Sequence, residues 1–150
     1  PFIQRLTIPY RYILEMPEST LITVREELDL LEAYVYLLNT RFGDSLKVNI
    51  NIPASFHAKK MVPFALQLLV ENAIKHNIAS SSRPLTVNIE AMESGLTVSN
   101  NLQKKQQPVI STGKGLENIN SRIRLLQQQE MKCITTMDQF IVTLPLFPET

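Results

Sequence analysis

The chain has 150 residues, the usual length of one domain with a hydrophobic core, and its net charge of +1 without a charged block argues against a nucleic-acid partner. The single cysteine, Cys133, excludes an internal disulfide and a cysteine-rich metal cluster, and it is typical of a reducing compartment. We expect neither a membrane span, which needs ~18 apolar residues, nor a signal peptide, and a start at Pro1 suggests a fragment of something longer.

The first half of the chain predicts a long helix followed by a strand. Thr23 and Glu26 form a capping box before apolar residues at helical spacing, so we expect a helix over about 24–42 with Gly43 as its stop. The simplest interpretation of this helix is a packing or dimer helix without chemistry. Apolar and polar residues then alternate over 46–52, which predicts a half-buried strand.

The stretch over 61–78, MVPFALQLLVENAIKHNI, predicts a helix pressed into the core. Its polar side chains fall in two neighbouring rows, one with Gln67, Glu71 and Lys75 and the other with Asn72 and His76. Polar groups on a buried helix cost free energy unless they are satisfied. This strip is therefore either an ordinary amphipathic face or the wall of a ligand site.

A hairpin and a loop follow. Alternation over 85–91 and 96–99 predicts two strands joined by a turn, with Asn100 on the core-facing side. There the amide either has a partner in the core or bonds its own turn. Residues 102–112 lack periodicity and predict a mobile loop, long enough for a lid.

A glycine pair, Gly113 and Gly115, precedes apolar residues at helical spacing, namely Leu116, Ile119, Ile123 and Leu126. Such a pair lets backbone N–H groups approach a phosphate, or it is only a hinge. The chain closes with two alternating strands that meet at Asp138. The order strand, helix, hairpin, helix, hairpin predicts an α+β fold in two layers rather than a βαβ Rossmann fold.

Three stretches in this order resemble the ATP-binding fold shared by gyrase, a family of heat-shock chaperones, mismatch-repair ATPases and sensor histidine kinases: EELDLLEAYVYLLNTRFGDSLKVNINIP, VPFALQLLVENAIKHN and STGKGLENINSRIRLL. The resemblance is closest to the autolysin-sensor (LytS-like) branch of bacterial sensor histidine kinases. It covers roughly residues 20–146 and implies a Bergerat-type sandwich, a mixed, mostly antiparallel sheet covered on one face by helices. Residues 1–18 would then be the tail of a dimerisation helix and 19–150 the catalytic domain.

The resemblance also implies roles for single residues. Asn72 would bind Mg²⁺, which takes amide oxygen and keeps several waters. Lys75 and His76 would face the phosphates or ribose, and Glu71 would orient a magnesium water or simply pair with Lys75. The remaining cofactor contacts would come from the glycines and the helix after them: Gly113, Gly115, Leu116, Asn118 and Arg122.

Two departures from the family pattern bear on the chemistry. Asn100 stands where the family has the aspartate that accepts from the adenine amino group, and Leu102 replaces a glycine of the same box. A neutral acceptor is weaker than a charged one, so we expect weaker and less adenine-selective binding of ATP. Leu68 stands where related ATPases place a catalytic glutamate, so we expect poor hydrolysis.

The function implied is the ATP-binding catalytic domain of a two-component sensor histidine kinase. With ATP and Mg²⁺, it would transfer the γ-phosphoryl group to a histidine on a separate dimerisation domain, because neither His57 nor His76 lies in a phosphoacceptor motif. A response regulator and a second copy would be its partners, and it would be a cytoplasmic part of an inner-membrane sensor. The alternative is a degenerate interaction module of the same fold without catalysis.

Overall fold

The computed structural model describes residues 20–105, 117, 119–121, 123 and 131–148. In chain order its elements are β1 (Ile22–Thr23), α1 (Val24–Phe42), β2 (Leu46–Asn51), β3 (Lys60–Met61), α2 (Ala65–His76), β4 (Leu85–Met92), β5 (Gly95–Asn101), β6 (Lys132–Thr135) and β7 (Gln139–Leu144). Short 3-10 turns at Gly43–Ser45 and Ala54–Phe56 flank β2. Among these residues no helix is both long and apolar enough to cross a membrane.

Five strands form one sheet in the order β2-β4-β5-β7-β6. The β2–β4 pair is parallel, and the other three pairs are antiparallel. A separate two-stranded sheet joins β1 to β3. A mixed, mostly antiparallel sheet with helices packed on it is the predicted α+β sandwich, so the predicted fold class is confirmed.

Helix α1 begins and ends where the sequence predicts. The Thr23 hydroxyl accepts from the Glu26 backbone N–H at 3.1 Å, and the Glu26 carboxylate accepts from the Thr23 backbone N–H at 3.1 Å, which completes the capping box. At the other end Gly43 takes a φ of +53° and its N–H donates to the Asn39 carbonyl.

The core lies between the two helices and one face of the sheet. On β4 the alternate residues Leu85, Val87 and Ile89 are fully buried, while the residues between them are partly or fully exposed. The helices bury apolar side chains against that face, chiefly Leu28, Leu31 and Leu38 from α1 and Leu66, Leu69, Val70 and Ala73 from α2. This packing fixes the two polar rows of α2 relative to the strand ends.

Two predicted boundaries differ from the structure. Residues 60 and 61 belong to strand β3, and α2 begins at Ala65 because Phe64 adopts a left-handed conformation with a φ of +63° that a helix cannot contain. Residues 102–105 are also not the start of a mobile loop, since the Lys105 N–H donates to the His76 carbonyl and Asn77 pairs with Lys104. Their hydrogen bonds tie them to the end of α2.

Part of the predicted helix after the glycine pair is described. Ile119 and Ile123 are helical and buried in the core, as their spacing predicts. The other predicted site residues of this region, Gly113, Gly115, Leu116, Asn118 and Arg122, lie outside the described residues, as do residues 1–18. The proposed division of the chain at residue 18 therefore stays a prediction.

Candidate functional site

A cavity of about 460 Å³ opens between the C-terminal half of α2 and the ends of β5, β6 and β7. Its walls are Asn72, Ala73, His76, Asn77, Asn100, Leu102, Lys104, Lys105, Thr135 and Phe140. Three predicted site residues meet here, Asn72 and His76 from one row of α2 and Asn100 from β5. The row of α2 that contains Asn72 and His76 therefore borders a cleft.

Asn72 offers its amide to this cavity. The side chain is half-buried, and none of the described residues makes a hydrogen bond to it. As far as the described residues go, its amide oxygen is therefore available to a ligand. Since the described residues contain no group of three histidine, cysteine or acidic side chains that could hold a metal by themselves, an ion here needs oxygens from a ligand. Mg²⁺ fits that description, because it takes one or two protein oxygens together with waters and substrate phosphates.

Asn100 reaches the cavity from the sheet. It is 5% exposed and lies on the helix-covered face with Leu96 and Val98, as the alternation predicts. Its Nδ2 donates to the Asn101 carbonyl at 2.9 Å, and none of the described residues donates to its Oδ1. The amide orientation that satisfies this bond leaves the oxygen as the acceptor for a ligand.

The neighbouring Asn101 shows why only one of the two asparagines serves the cavity. Its Oδ1 accepts from the Thr86 N–H at 2.8 Å and its Nδ2 donates to the Pro84 carbonyl at 3.2 Å. These bonds hold the start of β4 against β5 on the other side of the strand. Alternation along the strand therefore separates a structural amide from one that faces the cavity.

His76 lies one turn beyond Asn72 and is half-buried. Burial lowers the pKa of its imidazole, and the positive charges of Lys75 and Lys105 lower this pKa further. The ring is therefore neutral at pH 7, and the positive charge near the cavity comes from lysines.

Glu71 and Lys75 do not line the cavity with Asn72. They line a second groove of about 570 Å³ between α1 and α2, together with Tyr34 and Arg41 of α1. Burial raises the pKa of the Tyr34 hydroxyl, and the charge of Glu71 raises it further. The row of α2 that contains these two residues faces α1, so the roles predicted for them beside Asn72 stay predictions.

A hydrogen-bonded clasp joins the end of α2 to the segment after β5. The Asn77 Oδ1 accepts from the Gln103 N–H at 2.8 Å, while its Nδ2 donates to the Ala73 carbonyl at 2.9 Å. The Gln103 side chain donates to the carbonyls of Ile78 and Arg83 at 2.8 and 2.9 Å. These bonds place Lys104 and Lys105 at the rim of the cavity.

The charge around the cavity suits a polyanion. Lys104 and Lys105 are among its lining residues, and no carboxylate belongs to the part of the lining that the structure describes. The sequence patterns did not identify these lysines as site residues, although two adjacent cations at the start of a predicted lid favour an anion site. Thr135 and Phe140 had no such signal, because only the pairing of β5 with β7 brings them to the cavity.

The first turn of α2 depends on a residue that the sequence patterns did not reveal. Glu27 of α1 is 1% exposed, and its carboxylate accepts from the backbone N–H groups of Phe64 at 2.8 Å and Leu66 at 3.0 Å. In the sequence it is one acid in a helical run of charged residues. Only the packing of α1 on α2 shows that it faces inward.

Comparisons with known proteins agree with this fold. The sequence model of the family described as Histidine kinase matches residues 1–46. The sensor histidine kinase BtsS of Escherichia coli (strain K12) is 31% identical in an alignment of 126 positions, and the match covers 81% of this chain and 22% of that protein. The sensor protein LytS of Staphylococcus haemolyticus is 32% identical in an alignment of 130 positions, and the match covers 76% of this chain and 22% of that protein. The chain spans about a fifth of the length of these relatives.

A solved structure of the catalytic domain of the histidine kinase ThkA, in a nucleotide-free form, has a TM-score of 0.55 to this chain. The two are 15% identical, and the match covers 86% of this chain and 99% of that one. At that identity the likeness shows a shared fold. The sequence relatives show that this chain belongs to the LytS-like sensor histidine kinases, and its fold is that of the ThkA catalytic domain.

Proposed function

We propose that this domain binds ATP with Mg²⁺ in the cavity between α2 and the strand ends and supplies the γ-phosphoryl group to a histidine on a separate helical domain. The observation that carries the proposal is the meeting of Asn72 and Asn100 in one cavity. The described residues that line this cavity also include two lysines and no carboxylate. One amide is available to a metal, the other to a purine, and the cations to phosphates.

In this proposal each side chain acts through its own chemistry. Asn72 holds the metal through its amide oxygen, and Mg²⁺ when bound neutralises charge on the β- and γ-phosphates. Asn100 accepts from the exocyclic amino group of adenine through Oδ1, because its Nδ2 is engaged with the Asn101 carbonyl. Lys104 and Lys105 attract the triphosphate to the rim.

The reaction that follows is transfer to nitrogen. A histidine nitrogen of the acceptor domain bonds to the γ-phosphorus, the bond from that phosphorus to the β,γ-bridging oxygen breaks, and ADP leaves. Leu68 lies one turn before Asn72 and is 8% exposed, so it can neither activate water nor admit it readily. This apolar position supports slow hydrolysis and therefore a kinase rather than an ATPase.

The other predicted site residues complete the proposal on the family resemblance. They are Glu71 and Lys75 beside the phosphates, Gly113 and Gly115 as the lid hinge, Leu116 at the base, and Asn118 and Arg122 at the phosphates. For the whole protein we propose a membrane-anchored homodimer with this domain in the cytoplasm. Its phosphohistidine would serve a response regulator.

Calorimetric titration of the chain with Mg·ATP tests the proposal. We expect saturable binding that Asn72→Ala abolishes in its magnesium-dependent part. Asn88→Ala is the matched control, because that amide lies on the other face of β4 and, among the described residues, bonds Asn49 alone. Release of phosphate from ATP should stay near background, and steady turnover would instead favour an ATPase.

One observation favours a second candidate, a module of the same fold that does not bind nucleotide. Asn100 and Leu102 stand where the family has an aspartate and a glycine, so the purine pocket has lost a charged acceptor and gained a side chain. If this reading is right, the calorimetric signal stays flat at millimolar Mg·ATP. In that case the fold would act only through contacts with neighbouring domains.

A further inference from the structure

Glu27 is a buried acid that the proposed chemistry does not use. Of the buried polar and charged residues that the structure describes, Glu27, Gln67, Asn77 and Asn100, it alone is ionisable. Both of its oxygens accept backbone N–H groups, from Phe64 and Leu66, which are 37 and 39 residues further along the chain. These bonds join the first turns of α1 and α2.

Helix α2 needs this carboxylate because it lacks a cap of its own. Its N-cap residue, Phe64, is left-handed and provides no side-chain hydrogen bond, and no acidic residue lies in its first turn. The first N–H groups of a helix have no partner within the helix. Here water cannot replace one, since Ala65 and Leu66 are at most 1% exposed. Glu27 therefore caps α2 from the neighbouring helix.

The same helix carries the site. Asn72 lies six residues after Leu66, a distance of ~9 Å along the helix axis, and His76 lies one turn further. An α-helix transmits a displacement of one end to the other, because its backbone hydrogen bonds resist bending. A shift or rotation of the first turn therefore moves Asn72 relative to Asn100, which is fixed on the sheet.

We propose that Glu27 is a positioning residue for the nucleotide site: by accepting the first-turn N–H groups of α2, it holds Asn72 and His76 opposite Asn100. The proposal rests on the proposed function, since it assumes that the cavity binds ATP. It assigns to α1 a part in binding, although α1 contributes no side chain to the cavity walls.

If Glu27 positions the site, the affinity for nucleotide should depend on the protonation of its carboxyl. A purely structural contact would not produce this pH dependence. Burial raises the pKa of this carboxyl to about 7, while the N–H groups of Leu66, Phe64 and Ala65 act to lower it. No charged side chain of the described residues, from any element packed against it, contributes to this shift. The carboxylate accepts two N–H groups, whereas the acid turns a proton towards them. The cap is therefore stronger above pH 7 than below it.

Affinity for Mg·ATP, measured by calorimetry at pH 6 and pH 8, tests the proposal in the wild-type chain, Glu27→Gln and Glu26→Gln. We expect Glu27→Gln to raise the Kd at pH 8 by about threefold to tenfold and to reduce the change in affinity between the two pH values. Glu26→Gln is the matched control, because Glu26 is exposed, caps α1 itself, and glutamine preserves a capping box. Titration of ATP and His76 is common to all three proteins and cancels in the comparison.

Two additional measurements test the role of Glu27, one if the Glu27→Gln chain is folded and the other if the wild type does not bind nucleotide. Circular dichroism reports the folded fraction, and a folded Glu27→Gln chain with the wild-type Kd and pH profile would overturn the positioning role. If the wild type does not bind Mg·ATP, the proposed function fails, and amide NMR without nucleotide decides the role of Glu27. We expect the Leu66 N–H and the Asn72 side-chain amide to titrate together near pH 7 in the wild type. If the chemical shift of the Asn72 side-chain amide does not change with pH together with that of the Leu66 N–H, the inference is refuted. This test uses the wild type, so it holds even if the glutamine variant fails to fold.

Discussion

The substitution Glu27→Gln should change how the stability of the domain depends on pH. The folded state raises the pKa of Glu27 from 4.5 to about 7, so the folded chain holds this proton over a range where the unfolded chain has lost it. A raised pKa contributes stability that is complete below pH 4.5 and is lost as pH rises through 7. At 1.36 kcal/mol for each tenfold change in acidity constant, the full loss is roughly 3 kcal/mol, of which about 2 kcal/mol falls between pH 5.5 and 8.

Urea denaturation of both chains at pH 5.5 and pH 8 measures this effect. All other groups titrate equally in the two proteins. The wild-type free energy of unfolding minus that of Glu27→Gln therefore reports the contribution of the Glu27 carboxyl alone. We expect this difference to fall as pH rises. Glu26→Gln should show a small change of the opposite sign, because the N–H and hydroxyl of Thr23 lower the pKa of the exposed Glu26 carboxyl. A difference for Glu27 that is flat or grows with pH would refute the reasoning.

Three further predictions concern the turn, the clasp and the purine contact. Gly95→Ala should lower the free energy of unfolding by more than about 2 kcal/mol, because Gly95 has a φ of +142° and a Cβ there would collide with the backbone of β7. Gly43→Ala is the comparison: Gly43 has a φ of +53° and lies in open space, so the loss should be only about 1 kcal/mol. The same urea titration measures both. Asn77→Ala removes the acceptor of the Gln103 N–H, so hydrogen exchange at that amide should accelerate at least tenfold, and unchanged exchange would show that the clasp is not needed. Asn100→Asp introduces a charged acceptor and should lower the Kd for Mg·ATP about tenfold, measured by calorimetry, while the Kd for Mg·GTP stays unchanged. An equal gain in affinity for both nucleotides would contradict a contact with the adenine amino group.

Much of the fold could be predicted because its signals are local. The capping box at Thr23 predicts the start of α1, and Gly43 predicts its end, since both act within a few residues of backbone. Alternation predicts the strands and places Asn100 on the covered face, since successive side chains of a strand point to opposite sides. Neither inference needs knowledge of a distant segment.

The errors arise where distant segments meet. The apolar run from Met61 predicts a helix that begins at Met61. In the structure Met61 pairs with Ile22 in a two-stranded sheet, and α2 begins only after Phe64. The segment 102–105 has no periodicity and predicts a mobile loop, yet Asn77 holds it by hydrogen bonds. In both places a tertiary partner overrides a weak local preference.

The sequence by itself determined the bounds of α1, the positions of the longer strands, which side of each is apolar, and that one buried helix carries polar groups that need partners. Only the tertiary structure decided what each polar row faces. Asn72 and His76 face a cleft, the row of Glu71 faces α1, and Glu27 turns inward to cap α2. The physical reason is that periodicity defines a face relative to its own element. The neighbour of that face depends on strand order and helix packing, which long-range hydrogen bonds and burial establish.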